Sequence, residues 1–558
     1  KIRLSFERMG EVTMKKCFLK ICCGLLALAV LAGCSSAPGG ASGADSSAAG
    51  TSENSADMSG AEPLSEQTLP ISDEKVTLTY WRVWSNDYTP DFNAYQVNEE
   101  MEEKTNVKIE FTTVASSIAK EKFGILLASQ DLPDMIENNV AYPGGGEKAI
   151  SDGVYIDMAP YVETYMPNYR ALRESDETVR KMTISDTGKM WGIYPLFCDN
   201  DKTLCAEPSW IGMVIRQDWL DDLKLEQPHT IDEWHTVLTA FKEEKGAEAP
   251  LLLSKTGIMP YDYFLSAYGV KSEFYKDGDT VKYGPIEEGY RQYLELMAQW
   301  YAEGLVDQNF ISNEITSNAP KDYIATGKSG AATYSWAGTG NYLYETGSST
   351  DPDINWQPIT GPVLKEGDTC EARNVSYIAI QTPVSVTTAC EYPEIAAKWL
   401  DYQYTQDGFI ANSFGDSECY TVDDGGNYAF TDKIMNGEHG IDPQNEQFCY
   451  RRKDFPGLVS WEVYDLTNPA ERLAAREVYD SDGTALVLPK IEMTDAEGDE
   501  YNALYTDIQT YVQEKTAGYI MGSEPLDTYG DFVETVKGMN IDRCIEIQQA
   551  ALDRYDAR

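Results

Sequence analysis

The sequence predicts an α/β protein built on a parallel sheet. Two observations carry this. Signals between residues 76 and 139 run in the order strand, helix, strand, helix, strand, the pattern of crossover units. No apolar run anywhere reaches the ~18 residues of a membrane-spanning helix.

The elements follow in order. VTLTYWRVW (76–84) alternates and is β-branched and aromatic, so it is the first strand. A helix is expected over about 91–104, and a second strand at VKIEFTTV (107–114). Another helix covers about 117–129, and a third strand lies within LPDMIENN (132–139). Ligands of such sheets bind beyond the carboxyl ends of the strands, which points to residues 81–84 and 137–139. The next stretches are SDGVYIDMAPYVETYMPNY (151–169) and DTGKMWGIYPL (186–196). Within MVIRQDWLDDLKLEQPHTIDEWHTVLTAFKEE (213–244), Thr230 precedes Glu233 by three positions, the spacing of a capping box that opens a helix. A helix is expected over about 287–303. DYIATGKSGAATYSWAG (322–338) predicts a helix end, a glycine turn and a short buried strand ending at Trp336. RNVSYIAIQTPV (373–384) is a strand and EIAAKWLDYQYTQDGFIANSFG (394–415) a helix. The last segment predicts three helices, broken at Gly522 and Gly538.

Ahead of the sheet lies a leader. Lys15, Lys16 and Lys20 precede an apolar run at 21–32 that is too short to span a bilayer. Residues 1–33 therefore read as a signal peptide, with 1–13 set aside because Met14-Lys15-Lys16 is the more natural start. The run ends in Leu31, Ala32, Gly33 and Cys34, a tetrad that looks like a bacterial lipobox. That resemblance implies a diacylglyceryl group on Cys34, with cleavage before it. Two acyl chains suffice for stable anchoring. Residues 34–65 are rich in Ser, Gly and Ala and hold almost no bulky apolar residue, so they predict a flexible tether. Such a coil spans roughly 30 Å.

The charge balance is extreme: 45 Lys and Arg against 91 Asp and Glu, a net −46. This argues against nucleic acid and against anionic lipid as docking surfaces. The seven body cysteines, at 198, 205, 370, 390, 419, 449 and 544, show no CxxC and no metal spacing. Mostly free, buried thiols are expected. The three histidines, at 229, 235 and 439, lack the i, i+4 spacing of a zinc helix. No cofactor and no metal are expected.

Seven stretches then carry a resemblance: LPDMI with SDGVYIDMAPYVETYMPNY, GKMWGIYP, IRQDWLDDLKLEQPHTIDEW, IATGKSGAATYSW, AAKWLDYQYTQDG, and YIMGSEPLDTYGDFVETVKGMNIDRCIEIQQAALDRY. In that order they resemble the family 1 extracellular solute-binding lipoproteins of ABC importers. The large branch typified by LplA-like proteins and alginate-oligosaccharide binders is the most similar. The resemblance implies a two-lobed type II periplasmic-binding-protein fold with discontinuous lobes and a helical C-terminus. By analogy one lobe holds about 72–198 plus 372–415, and the other 199–371 plus 416–558. It further implies a monomer, anchored by lipid on the extracellular face of a Gram-positive-type membrane. Such a protein captures a carbohydrate, an oligosaccharide by preference, in the interlobe cleft. It delivers that solute to permease subunits served by a separate ATPase, and neither GxxxxGKS nor GxxxxGKT occurs here.

Sugars present hydroxyl edges and weakly apolar C–H faces, so their clefts need flat aromatic rings and forked donors. Trp84 ends the first strand, facing the expected cleft. In the family the loop after PDMI carries ligand contacts, which here offers Glu137, Asn138 and Asn139. Trp336 ends the GAATYSW strand, where family members place a stacking tryptophan. Arg216 lies near a lobe crossover, where it either forks onto ligand or pairs with Asp218 or Asp221. Trp191, Tyr377 and Trp461 complete the expected ligand set. The calcium loop of alginate binders has partial counterparts in CDNDKT (198–203) and DDGG (423–426), neither with a closing Glu.

Two other readings compete. A glycoside hydrolase needs a pair of carboxylates, and nothing singles one out among 91 acidic residues. The same fold also serves peptides or other small solutes, or presents ligand to a membrane sensor.

Overall fold

Val76–Trp84 forms a strand whose burial alternates at its start: Val76, Leu78 and Tyr80 are buried while Thr77 and Thr79 are exposed. From residue 80 to 83 both faces are buried, as in a parallel sheet covered by helices. The structure is a computed structural model that describes residues 68–558 except 85–90, 139, 314–320, 374–381, 438 and 453–454. The leader, Cys34 and the whole 34–65 tether lie outside the described residues, as do Asn139 and Tyr377.

The first strand pairs in parallel with Val107–Ala115 and with Met135–Glu137. Helices Gln96–Thr105 and Ala119–Ser129 make the two crossovers. Val97, Met101 and Thr105 recur every four residues on the first helix and form its buried face. The chain then lays down a second sheet before Val384–Val386 returns, antiparallel to Met135–Glu137, to complete the first.

The second sheet has the order Trp356–Ile359, Ile211–Arg216, Ser329–Ser335, Ala249–Leu251. Ile211–Arg216 runs antiparallel to both of its neighbours, while Ala249–Leu251 is parallel to Ser329–Ser335. The period of two divides its faces. Val214 and Ala332 enter a core shared with the first sheet. Met213, Ile215 and Ala331 enter a second core. That core is built with helices Ile231–Lys245, Glu288–Ala302 and Asp495–Ile520. The architecture is therefore two-lobed α/β, with the first sheet interrupted in the chain by the second and a helical C-terminus.

Local chemistry sets the helix ends. Thr230 and Glu233 form the expected reciprocal capping box, and Thr494 with Glu497 forms another. The helix expected over 394–415 is two helices, Pro393–Tyr402 and Gln406–Ser413. Thr405 caps the second by accepting from the Gly408 N–H, and a Cβ on Gly408 would stand 2.2 Å from the Gln403 carbonyl oxygen. The final break differs too. The chain turns at Asn540 with φ 70°, two residues past Gly538, which stays helical. Among the described residues no helix is long and apolar enough to cross a membrane.

The segment around 443–460 packs on the first sheet. Leu458–Ser460 pairs in parallel with Leu196–Cys198, and Phe455 packs on Tyr80, Phe92 and Phe111. In the second lobe a tight backbone crossing fixes the turn at Gly284. A Cβ there would stand 1.6 Å from the carbonyl oxygen of Lys271. Gly284→Ala is expected to lower stability by about 3 kcal/mol, read as a fall in the denaturant midpoint. An unchanged midpoint would mean that the two strands of backbone separate freely.

Candidate functional site

A belt of aromatic rings runs between the strand ends of the two sheets. It begins at Trp84, the last residue of the first strand, which stands edge-on to Phe92 at 5.2 Å. Phe92 lies 4.8 Å from Tyr95, whose hydroxyl donates to the Phe448 carbonyl at 2.8 Å. Phe448 neighbours Tyr464, and Tyr464 meets Trp210 edge-on at 4.6 Å. Trp210 lies 5.3 Å from Trp336. The Arg476 guanidinium sits 5.2 Å from Trp336 and 4.7 Å from Trp461. At the end of the belt the Trp461 indole donates to the Cys205 sulfur at 3.0 Å. Burial pushes that thiol up to about 11, so it stays protonated.

Cations thread the belt. Arg82 is fully buried, 4.2 Å from both Phe92 and Phe455 and 5.0 Å from Trp84. It pairs with the buried Glu137 carboxylate at 3.3 Å, which also accepts from Tyr80. Burial, with Glu137 beside it, raises the Tyr80 hydroxyl well above its ordinary range, so it remains a donor. Arg451 lies 5.0 Å from both Phe448 and Tyr464.

The expected site residues divide by position. Trp84, Trp336 and Trp461 stand on the belt, and Glu137 anchors Arg82 beneath it. Trp84 and Trp461 keep partial exposure, whereas Trp336 is fully buried. Asn138 is occupied by packing. Its amide donates to the Pro383 carbonyl at 3.0 Å and to Ser385 at 2.8 Å, and its oxygen accepts from Tyr155 at 2.7 Å. Arg216 is buried in an ion pair with Asp218 at 2.5 Å and Asp351 at 3.2 Å, with its face on Trp219. Trp191 packs over Gly146 and near Tyr194, on the side of the returning strand, where Ser385 donates to its carbonyl.

Phe92, Tyr95, Phe448, Tyr464, Trp210, Arg82 and Arg476 are belt residues that the sequence does not single out. Trp210 had a usable signal. It immediately precedes Ile211–Arg216, and Ile211 pairs antiparallel with Ser335, which sets Trp210 across from Trp336. The strands were legible; their relative direction was not.

Most of these rings and guanidinium groups are buried, and Trp84, Trp210, Phe448 and Trp461 keep the partial exposure that offers a ring face. That chemistry suits a polyhydroxylated solute with alternating C–H and hydroxyl surfaces. The two partial calcium loops are ordinary turns. Asp199 accepts from the Thr203 N–H, and Asp423 from the N–H groups of Gly425 and Asn427. Among the described residues no group of three His, Cys, Asp or Glu is arranged to hold a metal. A cavity of about 520 Å³ opens in the second lobe, and no belt residue lines it.

Comparison with known proteins gives a consistent answer. Residues 86–408 match the family model of bacterial extracellular solute-binding proteins. A fructooligosaccharide ABC transporter substrate-binding protein of Streptococcus pneumoniae is 23% identical over 530 residues, 88% of this chain and 92% of the relative. A lipoprotein of Bacillus subtilis is 25% identical over 72% of this chain and 80% of its own. The solved structure of a human-milk-oligosaccharide-binding solute-binding protein from Bifidobacterium longum infantis superposes with TM-score 0.71 at 17% identity. It covers 87% of this chain and 99% of that one.

Proposed function

The chain belongs to the bacterial extracellular solute-binding protein family, and we propose that it captures an oligosaccharide on the Trp84–Trp461 belt and hands it to an ABC importer. The observation that supports this is the belt itself, which joins the strand ends of both sheets through stacked rings and buried guanidinium groups. The fructooligosaccharide- and milk-oligosaccharide-binding relatives support a saccharide cargo. The mechanism is capture: a ligand that touches both lobes biases an open–closed equilibrium toward the closed form. Permease subunits with a separate ATPase then take the solute.

In this reading the protein is a monomer held on the extracellular face by lipidated Cys34 and the 34–65 tether, and the lipoprotein relative supports that anchor. The lobes run 72–198 plus 372–415 and 199–371 plus 416–558. The packing of Leu458–Ser460 on Leu196–Cys198 draws part of the last segment toward the first lobe.

The test is thermal unfolding of the mature chain carrying Cys34→Ser, against mono- and oligosaccharides, uronates, amino acids and peptides. A ligand at about 100 times its Kd stabilises the fold by about 2.7 kcal/mol. For a chain of this size that raises the midpoint by a few degrees. A shift confined to one saccharide class supports the proposal and names the cargo. A shift with peptides but with no sugar leaves the family intact and overturns the cargo.

A further inference from the structure

We propose that the second lobe carries a separate site for a small organic ammonium ion, in the cavity walled by Tyr261, Asp262, Glu273, Tyr283, Tyr290 and Tyr505. The cavity measures about 520 Å³, within the range of small-molecule sites. Tyrosine faces attract cations through the ring quadrupole. Among the described residues, the charged ones on the wall are two carboxylates, Asp262 and Glu273, and one lysine, Lys255.

Asp262 is the decisive group. Its carboxylate accepts from the Ser272 N–H at 3.3 Å and from the Ser272 side chain. Lys271 lies near but does not dock on it: its ammonium is buried and forms no hydrogen bond among the described residues. Burial raises the Asp262 carboxyl, with Lys271 offsetting only part, and burial lowers the Lys271 ammonium. A cation in the cavity would add to the partial neutralisation that Lys271 gives this carboxylate. Glu273, on the exposed rim, is held by the Gln509 amide at 2.7 Å and offers a second anionic contact.

The backbone supports the same assignment. Tyr261 and Asp262 adopt φ 71° and φ 61°, two successive non-glycine residues in the left-handed region. That region crowds the Cβ of a non-glycine residue against the backbone. Strain of this kind persists where the surrounding structure fixes a functional geometry. Here it sets both side chains on the cavity wall.

The experiment is calorimetric titration of the full chain with putrescine and with choline. Each is paired with a neutral isostere, 1,4-butanediol or 3,3-dimethylbutan-1-ol. At least one cation is expected to bind at one site per chain, ten-fold or more tighter than its isostere. Preference for putrescine assigns a primary amine, and preference for choline a quaternary one. Asp262→Asn is expected to weaken binding ten-fold or more. Asparagine tolerates the left-handed backbone, so the turn survives. Glu273→Gln, on the exposed rim, should weaken binding by a smaller factor. Equal binding of cation and isostere, no binding of either cation, or an unchanged Asp262→Asn affinity would overturn the proposal. A saccharide that shifts the thermal midpoint should leave the cation affinity unchanged; competition would merge the two sites and overturn a separate one. The titration reads this cavity whether or not a saccharide occupies the belt.

Discussion

Glu137→Ala is expected to lower the stability of the chain by about 3–5 kcal/mol. The size follows from what remains behind. Arg82 is fully buried among Phe92, Phe455 and Trp84, and Glu137 is the carboxylate that faces it at 3.3 Å. Deleting the anion removes the Glu137 charge from a guanidinium that is fully buried among aromatic rings. Burial, with the Arg82 charge nearby, also pulls the neighbouring Arg452 down to about 9. The measurement is the urea midpoint of Glu137→Ala and Glu137→Gln beside the parent. Glu137→Gln keeps the shape and removes the charge, so comparing the two separates Coulomb energy from packing. Arg82→Met combined with Glu137→Leu is expected to recover most of the loss, because well-packed apolar pairs replace buried ion pairs at little cost. Parental midpoints in all the single variants would mean that water screens the pair. A Glu137→Gln variant with parental stability and lost saccharide affinity would place the carboxylate on the ligand instead.

The same residue shows what the sequence made legible. Alternation in VTLTYWRVW and VKIEFTTV located both strands, because a side-chain period of two is a local property. The Thr230–Glu233 spacing located a helix start for the same reason. PDMIE was marked as a strand end near the site. That Glu137 faces Arg82 across adjacent strands was not readable, since it requires the register between Tyr80 and Met135. Arg216 makes the point in another way. Its partner Asp218 lies two residues away and was one of those weighed. Its partner Asp351 lies 135 residues away and belongs to the fold alone. Asn138 is expected at the ligand from its place after PDMI, and the fold uses its amide to staple the returning segment at Pro383 and Ser385. In each case residue type and position along a strand were local, and the partner was not.

Trp336 and Trp84 are both candidate stacking residues, yet the structure assigns them opposite experimental signatures. Trp336 is fully buried between Trp210 and Arg476. Trp336→Ala is expected to cost about 3–5 kcal/mol of stability, the range for emptying a large aromatic site. Any loss of ligand affinity would then be inseparable from that collapse. Trp84 is half-buried at a strand end, with Phe92 edge-on to it. Its removal leaves a dent at the surface and not a closed cavity, so a stability loss of about 1 kcal/mol is expected. A lost stacking face contributes about 1–1.5 kcal/mol, close to a ten-fold rise in Kd for the saccharide. The pair is measured by tryptophan fluorescence titration and urea unfolding on the same preparations. Trp84→Ala with parental affinity would remove that end of the belt from the ligand. Trp336→Ala with parental stability would show that the ring is not part of the core and stands open to the cleft. Trp336→Phe, which fills most of the site, should restore stability and so reveal any part of the affinity that depends on the indole.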